Sequence, residues 1–363
     1  MERLSADLDT ASRAELLNAR PALSALLSPT AKAKAVGDVL PPNGSASAVA
    51  AGMALAHKKY AATAAAKAAG GGGAGNGDGG EGPALAVLMV VQPNERNVVD
   101  QRGIEHTLWK EHGVPLVRAT LADVKANGSI GADGKLLLVQ GGGVGRTLEV
   151  SLVYFRAGYT PDDYPGEAEW SARLLIERSL SVKCPSIAQH LAGTKKVQQV
   201  LALPKELARF ASADEAAQLS ACFAKLHGLE EGGGAAVDAI VAEARKRPDS
   251  FVLKPQREGG GNNLYGSELA DALGTMSAAE RASFILMERI LPPSAPTPLM
   301  RQGELDGGGC TCELGVYGVV LTDGKQELCN EAAGHLLRVK LDGVDEGGVC
   351  AGFAVLSSPL LYA

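Results

Sequence analysis

The stretch Phe251-Val252-Leu253-Lys254-Pro255-Gln256-Arg257-Glu258-Gly259-Gly260-Gly261-Asn262-Asn263-Leu264-Tyr265 constrains this chain more than any other. The short apolar run Phe251 to Leu253 predicts a buried strand that delivers a lysine at its end. Three glycines let backbone amides approach an anion closely, and successive N–H groups can form a concave anion nest. Lys254 and Arg257 supply charge for phosphate oxygens, and Glu258 is a hard oxygen ligand suited to Mg²⁺. Asn262 and Asn263 tolerate left-handed backbone and offer amide donors. As residues alone the stretch also fits a glycine turn between two strands, because triple glycines recur at Gly71–Gly73, Gly141–Gly143, Gly232–Gly234 and Gly307–Gly309. The cations and amides around this one favour phosphate binding, while the missing Gly-Lys-Ser/Thr excludes a P-loop.

A chain of 363 residues has room for roughly two or three domains. Hydrophobic residues make up 46% and charged residues 21%, an ordinary globular balance. The net charge of −6 argues against a nucleic-acid surface. No apolar run approaches membrane-spanning length and the start lacks a signal-peptide core, so the expected location is cytoplasmic, with a plastid left open. Six cysteines form no disulfide scaffold. Cys310-Thr311-Cys312 has no second pair for zinc, and reduced thiols are expected.

Residues 1–60 read as helical, with Leu16, Leu17, Leu23, Leu26 and Leu27 suggesting one apolar face and Pro41-Pro42-Asn43-Gly44 a break. An alanine-rich helix from Ser45 to Tyr60 ends in His57-Lys58-Lys59, where His57 is expected to be solvated. Residues 61–83 are low-complexity and read as a flexible insert. Residues 84–194 then read as an α/β unit. Ala84 to Val91 is a buried strand, followed by the polar turn Gln92 to Asn97 and a helix from about Val99 to His112. Lys135–Gln140 and Leu148–Phe155 read as a hairpin joined by Gly141–Gly145. Trp170 to Ser181 reads as a helix with Leu174, Leu175 and Ile176 inward, and Trp109 and Trp170 as core anchors. In residues 195–363, Phe210–Leu226 and Ala235–Arg245 read as helices and Phe284–Ile290 as a buried strand. Ser294–Gly309 reads as a loop, and Glu313–Val320 pairs with Glu327–Glu331 around Thr322-Asp323-Gly324.

Leu253 to Gly266, read as LKPQREGGGNNLYG, resembles the glycine-rich lid loop of eukaryotic glutathione synthetase. Similar matches recur in Glu95-Arg96-Asn97 with Asp100-Gln101-Arg102, in Tyr154-Phe155-Arg156-Ala157-Gly158-Tyr159, and in Leu191 to Gln199. Gly334 to Lys340 and Glu346 to Phe353 complete the set. The resemblance implies an α/β ATP-grasp fold with an inserted α/β substrate-binding domain, a helical N-terminal remnant, and glycine-rich and alanine-rich lid loops. It implies ATP, γ-glutamylcysteine and glycine as partners, Mg²⁺ as cofactor, and a homodimer. The implied ATP-binding residues are Lys195, Val252, Lys254, Gln256, Arg257, Gly259, Gly260, Gly261, Asn262, Asn263, Tyr265, Met287, Ile290, Glu313 and Lys340. Glu95, Arg96, Asn97, Gln101, Arg156, Tyr159, Arg338, Val349 and Cys350 would hold substrate, Glu258 the metal, and Arg338 and Lys254 would be catalytic.

This sequence departs from the family pattern at Ala157 and Glu346, both usually aspartate, and at Cys350, usually alanine. The family segment Glu-Ile-Asn-Thr-Ile-Ser-Ala-Ser-Phe-Gly-Gly, which carries further magnesium ligands, has no counterpart between Met1 and Leu40. Of those ligands only Glu258 is present, so the expectation is impaired catalysis with nucleotide binding partly retained, in an incomplete product or a variant lacking the site. The alternatives are a non-catalytic nucleotide-binding or dimerisation partner, or another ATP-grasp carboxylate–amine ligase such as homoglutathione synthetase.

Overall fold

The computed structural model describes residues 40–70, 83–95, 97–140, 145–256, 262–301, 304–345, 347–349 and 352–359. Two compact units emerge: residues 1–184 with 293–363, and residues 185–292. The sequence-based division at 194/195 had put the C-terminal strands with the glycine stretch. They belong to the first unit, because they pack on its entry helix.

That helix, α1 (Ser45–Gly70), runs ten residues past Tyr60, into the tract read as insert. Alanine is the best helix former, so a run of alanines continues a helix that has already nucleated. Residues 71–82, and the predicted helix before Leu40, lie outside the described residues. His57 is not a solvated end residue. It lies within α1, partly buried, with Nδ1 2.8 Å from Ser151 Oγ, and Ser151 in turn donates to the Ala86 carbonyl at 3.1 Å.

A six-stranded sheet forms the centre of the first unit. Its order is β2 (Leu116–Ala119), β1 (Ala84–Val90), β5 (Arg146–Phe155), β4 (Leu136–Gln140) and β3 (Gly128–Ile130), with β6 (Val182–Cys184) also on β5. β1 pairs in parallel with β2 and β5, and β6 in parallel with β5, whereas β3–β4–β5 is antiparallel. Side chains alternate along β1, so Val87 and Met89 meet α1 and α2 (Val98–His112). Leu88 and Val90 meet α3 (Leu121–Asn127) and α4 (Glu167–Arg178) on the other face. Both faces are covered, which is why the strand reads as one unbroken apolar run. The β4–β5 hairpin falls where the glycines predicted it, with Gln140 opposite Arg146.

Neither tryptophan is a core anchor. Trp109 is 61% exposed, because Gln101, Ile104 and Leu108 take the inward positions of α2. Trp170 is 52% exposed and stacks on Tyr164, centroids 4.1 Å apart. In α4 the inward residues are Ala172, Arg173 and Ile176, and Leu174 faces out. Arg173 is tolerated there because its guanidinium covers the Phe155 ring at 4.0 Å and bonds Glu177.

The second unit begins with α5 (Ile187–Ala192), α6 (Lys195–Leu201), α7 (Pro204–Leu207) and α8 (Ala213–Ala221). The long helix expected over Phe210–Leu226 is therefore short: Ser212 caps it at one end, and the chain becomes β7 (Leu226–Gly228) beyond the other. β7, β9 (Phe284–Glu288) and β8 (Phe251–Pro255) form an antiparallel sheet in that order. α9 (Gly234–Lys246) and α10 (Gly266–Thr275) bury Val241, Leu269 and Leu273 against Leu253 and Leu286 of that sheet. α11 (Ala278–Arg281) leads into β9.

In the C-terminal part, Ser294–Gly309 is not a loop. β10 (Ala295–Arg301) and β11 (Glu304–Thr322) pair antiparallel, with Pro296 opposite Gly309 and Pro298 opposite Gly307. Proline lacks a ladder donor, and β10 tolerates two because it is the edge strand. β12 (Glu327–Leu341) pairs with β11 and β13 (Val355–Ser357) with β12. The β11–β12 turn is where Asp323-Gly324 predicted it, and Asp323 Oδ1 accepts from the backbone of Lys325 and Gln326. α1 docks on this ribbon. A Cβ at Gly52 would lie 2.4 Å from Val319. The Asn43 side chain bonds both backbone groups of His335, beside Gly334 at φ 96°.

Candidate functional site

At the carboxyl end of the parallel strands, the turn after β1 passes through Asn94 at φ 56° and carries Glu95. Glu95 accepts from the backbone of Asn97 at 2.7 Å and from Gln101 Nε2 at 2.7 Å. Gln101 is fully buried, and its Oε1 accepts from Arg118 on β2 at 3.1 Å. Arg156 follows β5, and its own N–H and that of Ala157 both donate to the Val90 carbonyl. The Arg156 guanidinium lies 2.7 Å from Asp100, whose carboxylate is 3.5 Å from Asn97 Nδ2. Four residues assigned to substrate from motifs, Glu95, Asn97, Gln101 and Arg156, therefore form one bonded network. Arg96 lies outside the described residues.

Tyr159 is exposed on the following loop, and its N–H donates to Asp163 at 3.1 Å. Ala157, where the family has aspartate, is buried, and Gly158 is held instead by the Tyr164 hydroxyl at 2.9 Å. Tyr154 is partly buried beside Arg156, and that burial pushes its phenol up.

On the C-terminal ribbon Glu313 and Arg338 sit directly opposite each other, 2.7 Å apart. Arg338 also reaches the Gly347 carbonyl at 3.4 Å, and Lys340, two residues on, donates to the Asp345 carbonyl at 3.0 Å. Val349 belongs to the turn that follows, its carbonyl accepting from Gly352. Cys350 and Glu346 lie outside the described residues.

In the second unit the glycine stretch is tied at its base. Leu253 and Leu264 exchange two backbone hydrogen bonds of 3.0 Å, bracketing residues 257–261, which are outside the described set. Arg257, Glu258, Gly259, Gly260 and Gly261 thus have no described geometry. After Leu264 the chain enters α10, so the stretch joins a strand to a helix and not two strands. Lys254 is half-buried opposite Ile285, and Val252 is buried opposite Met287. Lys195 opens α6, where the next residue, Lys196, donates its backbone N–H to Gln256 at 3.1 Å and its ammonium to Glu230. That ammonium holds Glu230 below the usual carboxylate range. Asn262 is half-buried, and Asn263 donates to the Tyr265 hydroxyl at 3.2 Å, with Arg289 over the Tyr265 ring. Ile290 lies beyond β9 and is exposed.

Sequence reasoning named Asp100 only as a member of the Asp100-Gln101-Arg102 motif, and gave no role to Arg118, Lys196, Glu230 or Arg289. A cation near the carboxyl end of a parallel strand was the available signal for Arg118.

Mg²⁺ in nucleotide sites takes one or two carboxylates together with phosphate oxygens. Among the described residues no group of three or more His, Cys, Asp and Glu could hold a metal ion. Glu258, the carboxylate read from the sequence as the metal ligand, lies outside the described residues.

In the second unit a lysine-bearing strand of a small antiparallel sheet leads into the glycine stretch, and the chain is of the ATP-grasp class. The chain matches the family model for the eukaryotic glutathione synthase ATP-binding domain over residues 12–361. It is 45% identical over 280 residues to the chloroplastic glutathione synthetase of Solanum lycopersicum, covering 76% of this chain and 49% of that protein. The Dictyostelium discoideum and Homo sapiens glutathione synthetases are 43% and 44% identical, each covering 76% of this chain and 57% of the relative. This chain belongs to the eukaryotic glutathione synthetase family, and it spans about half the length of the curated relatives it matches. A solved glutathione synthetase-like effector from Globodera pallida, in its apo form, shares the fold with a TM-score of 0.62 at 19% identity. That match covers 89% of this chain and 63% of the effector. No described helix is long and apolar enough to cross a membrane.

Proposed function

We propose that the chain acts as a glutathione synthetase, joining γ-glutamylcysteine to glycine with hydrolysis of ATP to ADP and phosphate. The γ-phosphoryl group passes to the cysteinyl carboxylate. The glycine amine then attacks the acyl carbon, loses a proton and expels inorganic phosphate as the amide forms. No side-chain nucleophile is needed, so the protein contributes orientation and charge neutralisation. Arg156 suits a substrate carboxylate, since a guanidinium can offer paired N–H donors. Lys254 and Arg338 neutralise charge on the transferring phosphoryl group, and Lys195 and Lys340 grip nucleotide phosphates. Glu258 would hold Mg²⁺, which supplies further positive charge on the phosphate oxygens when bound.

What supports this most is the bonding of Glu95, Asn97, Gln101 and Arg156 into one network at the carboxyl ends of parallel strands. A homodimer in the cytosol is part of the proposal. The test is ADP release by the purified chain with ATP, Mg²⁺, γ-glutamylcysteine and glycine, against Glu258→Ala. Glycine-dependent release that the variant abolishes is the expected result. Preference for β-alanine or serine would reassign the acceptor. Saturable ATP binding without turnover would leave a nucleotide-binding partner and sink the catalytic assignment.

A further inference from the structure

Resting on that proposed activity, we infer that Asp100 and Arg118 are positioning residues for the γ-glutamylcysteine site, acting through Arg156 and Gln101. Neither needs to touch substrate. Asp100 lies in the first turn of α2, and its Oδ2 takes Arg156 Nη2 at 2.7 Å. The Arg156 backbone is fixed separately, by donation to the Val90 carbonyl at 2.9 Å. A guanidinium fixed at its backbone and tied at Nη2 to a carboxylate is held in a set direction.

Arg118 works at the other end of the network. Gln101 is fully buried, so its amide must satisfy both ends internally. Arg118 donates to Oε1 at 3.1 Å, which directs Nε2 to Glu95 at 2.7 Å. The second Glu95 oxygen accepts from the Asn97 backbone at 2.7 Å. Glu95 is thus aimed by a chain that starts on β2, while Arg156 is aimed by one that starts on α2. The two chains meet at the 3.5 Å approach of Asn97 Nδ2 to Asp100.

The two chains predict different couplings. Asp100→Asn and Arg118→Met should each weaken γ-glutamylcysteine binding about tenfold or more, since misplacing a binding group by an ångström has effects of that order. ATP affinity should not move. Asp100→Asn should add nothing to Arg156→Gln, because it acts through that arginine, whereas Arg118→Met should add fully. Asp100→Glu, which keeps the charge, should recover part of the loss.

The experiment is calorimetric titration of the full chain and these variants with γ-glutamylcysteine and separately with ATP. Arginine side-chain NMR on labelled protein accompanies it, reading rotation of the Arg156 guanidinium. Restricted rotation in the wild type that is released in Asp100→Asn is the expected spectrum. Unchanged γ-glutamylcysteine affinity in both variants, or full additivity of Asp100→Asn with Arg156→Gln, would overturn the inference. If the wild type binds ATP but no γ-glutamylcysteine, the substrate assignment falls. The NMR result then judges the Asp100 tie alone, and a freely rotating Arg156 in the wild type rejects it.

Discussion

Two arginine–carboxylate pairs of the first unit, Arg156 with Asp100 and Arg338 with Glu313, have the same 2.7 Å separation. Their settings differ. The Asp100 and Arg156 side chains are 14% and 28% exposed, and those of Glu313 and Arg338 are 43% and 42% exposed. Water screens the second pair, and exposed pairs contribute about 0–1 kcal/mol. The first pair is shielded and shares its carboxylate with the Asn97 amide, which strengthens its Coulomb attraction and raises the cost of breaking it. Separation alone does not rank ion pairs. One pair is shielded inside a bonded network, and the other lies open to water.

The comparison breaks most visibly if the ribbon under Arg338 is disturbed. Gly334 has φ 96°, and an added Cβ would lie 2.7 Å from Asn43 Oδ1 and 2.8 Å from Ser45 Cα. Gly334→Ala should cost about 3 kcal/mol of stability by chemical denaturation, combining backbone strain with the lost Asn43 clasp. Arg156 NMR signals, which report the other sheet, should stay in place. Asp100→Ala comes next, with a loss of about 2 kcal/mol, the scale of a shielded charge-assisted hydrogen bond.

A smaller effect comes from acid. Burial, and then Lys58, lowers His57 below its ordinary 6.5, so the unfolded chain takes up this proton more readily than the folded one. Its stabilising share is complete above pH 6.5 and is lost as the pH falls through the lowered folded value. His227 is also lowered by burial and steepens the same loss. In denaturation curves from neutral pH downward, His57→Gln should flatten the decline without abolishing it. Glu313→Ala should have the smallest effect, under about 1 kcal/mol, and smaller still in high salt. A larger loss that persists in salt would erase the contrast between the two pairs.

Much of the fold was legible in the sequence. Ala84 to Val91 announced a strand covered on both faces, and Asp323-Gly324 and the Gly141–Gly145 run announced two hairpins whose strands pair where expected. The readings that failed did so because composition does not report which side of an element faces the core. Trp109 follows Leu108, which owns the inward position, and Leu174 follows Arg173, which covers Phe155. Prolines and glycines in 294–309 suggested a loop, but an edge strand tolerates both. His57 was taken for a helix end because the alanine tract behind it looked too simple to stay helical. In the site, the motif residues were visible as short segments. Arg118 was not, because only the parallel pairing of β2 with β1 carries it to Gln101.

Strand β5 pairs with β1 along one side, and on the other side with β4 at its start and β6 at its end. This division sets an order of assembly. The antiparallel start needs only the closure of a short turn, whereas Ala84 must find Leu148, and Val182 must find Leu152 across an intervening helix. Loop closure disfavours distant pairings, and folding slows as they dominate. In pulse-labelled refolding, the amide of Leu138 should therefore become protected before that of Val182. The end of the sheet that carries Arg156 is then the last to close, so a chain caught late in folding would hold its hydrophobic centre before it could recognise a substrate.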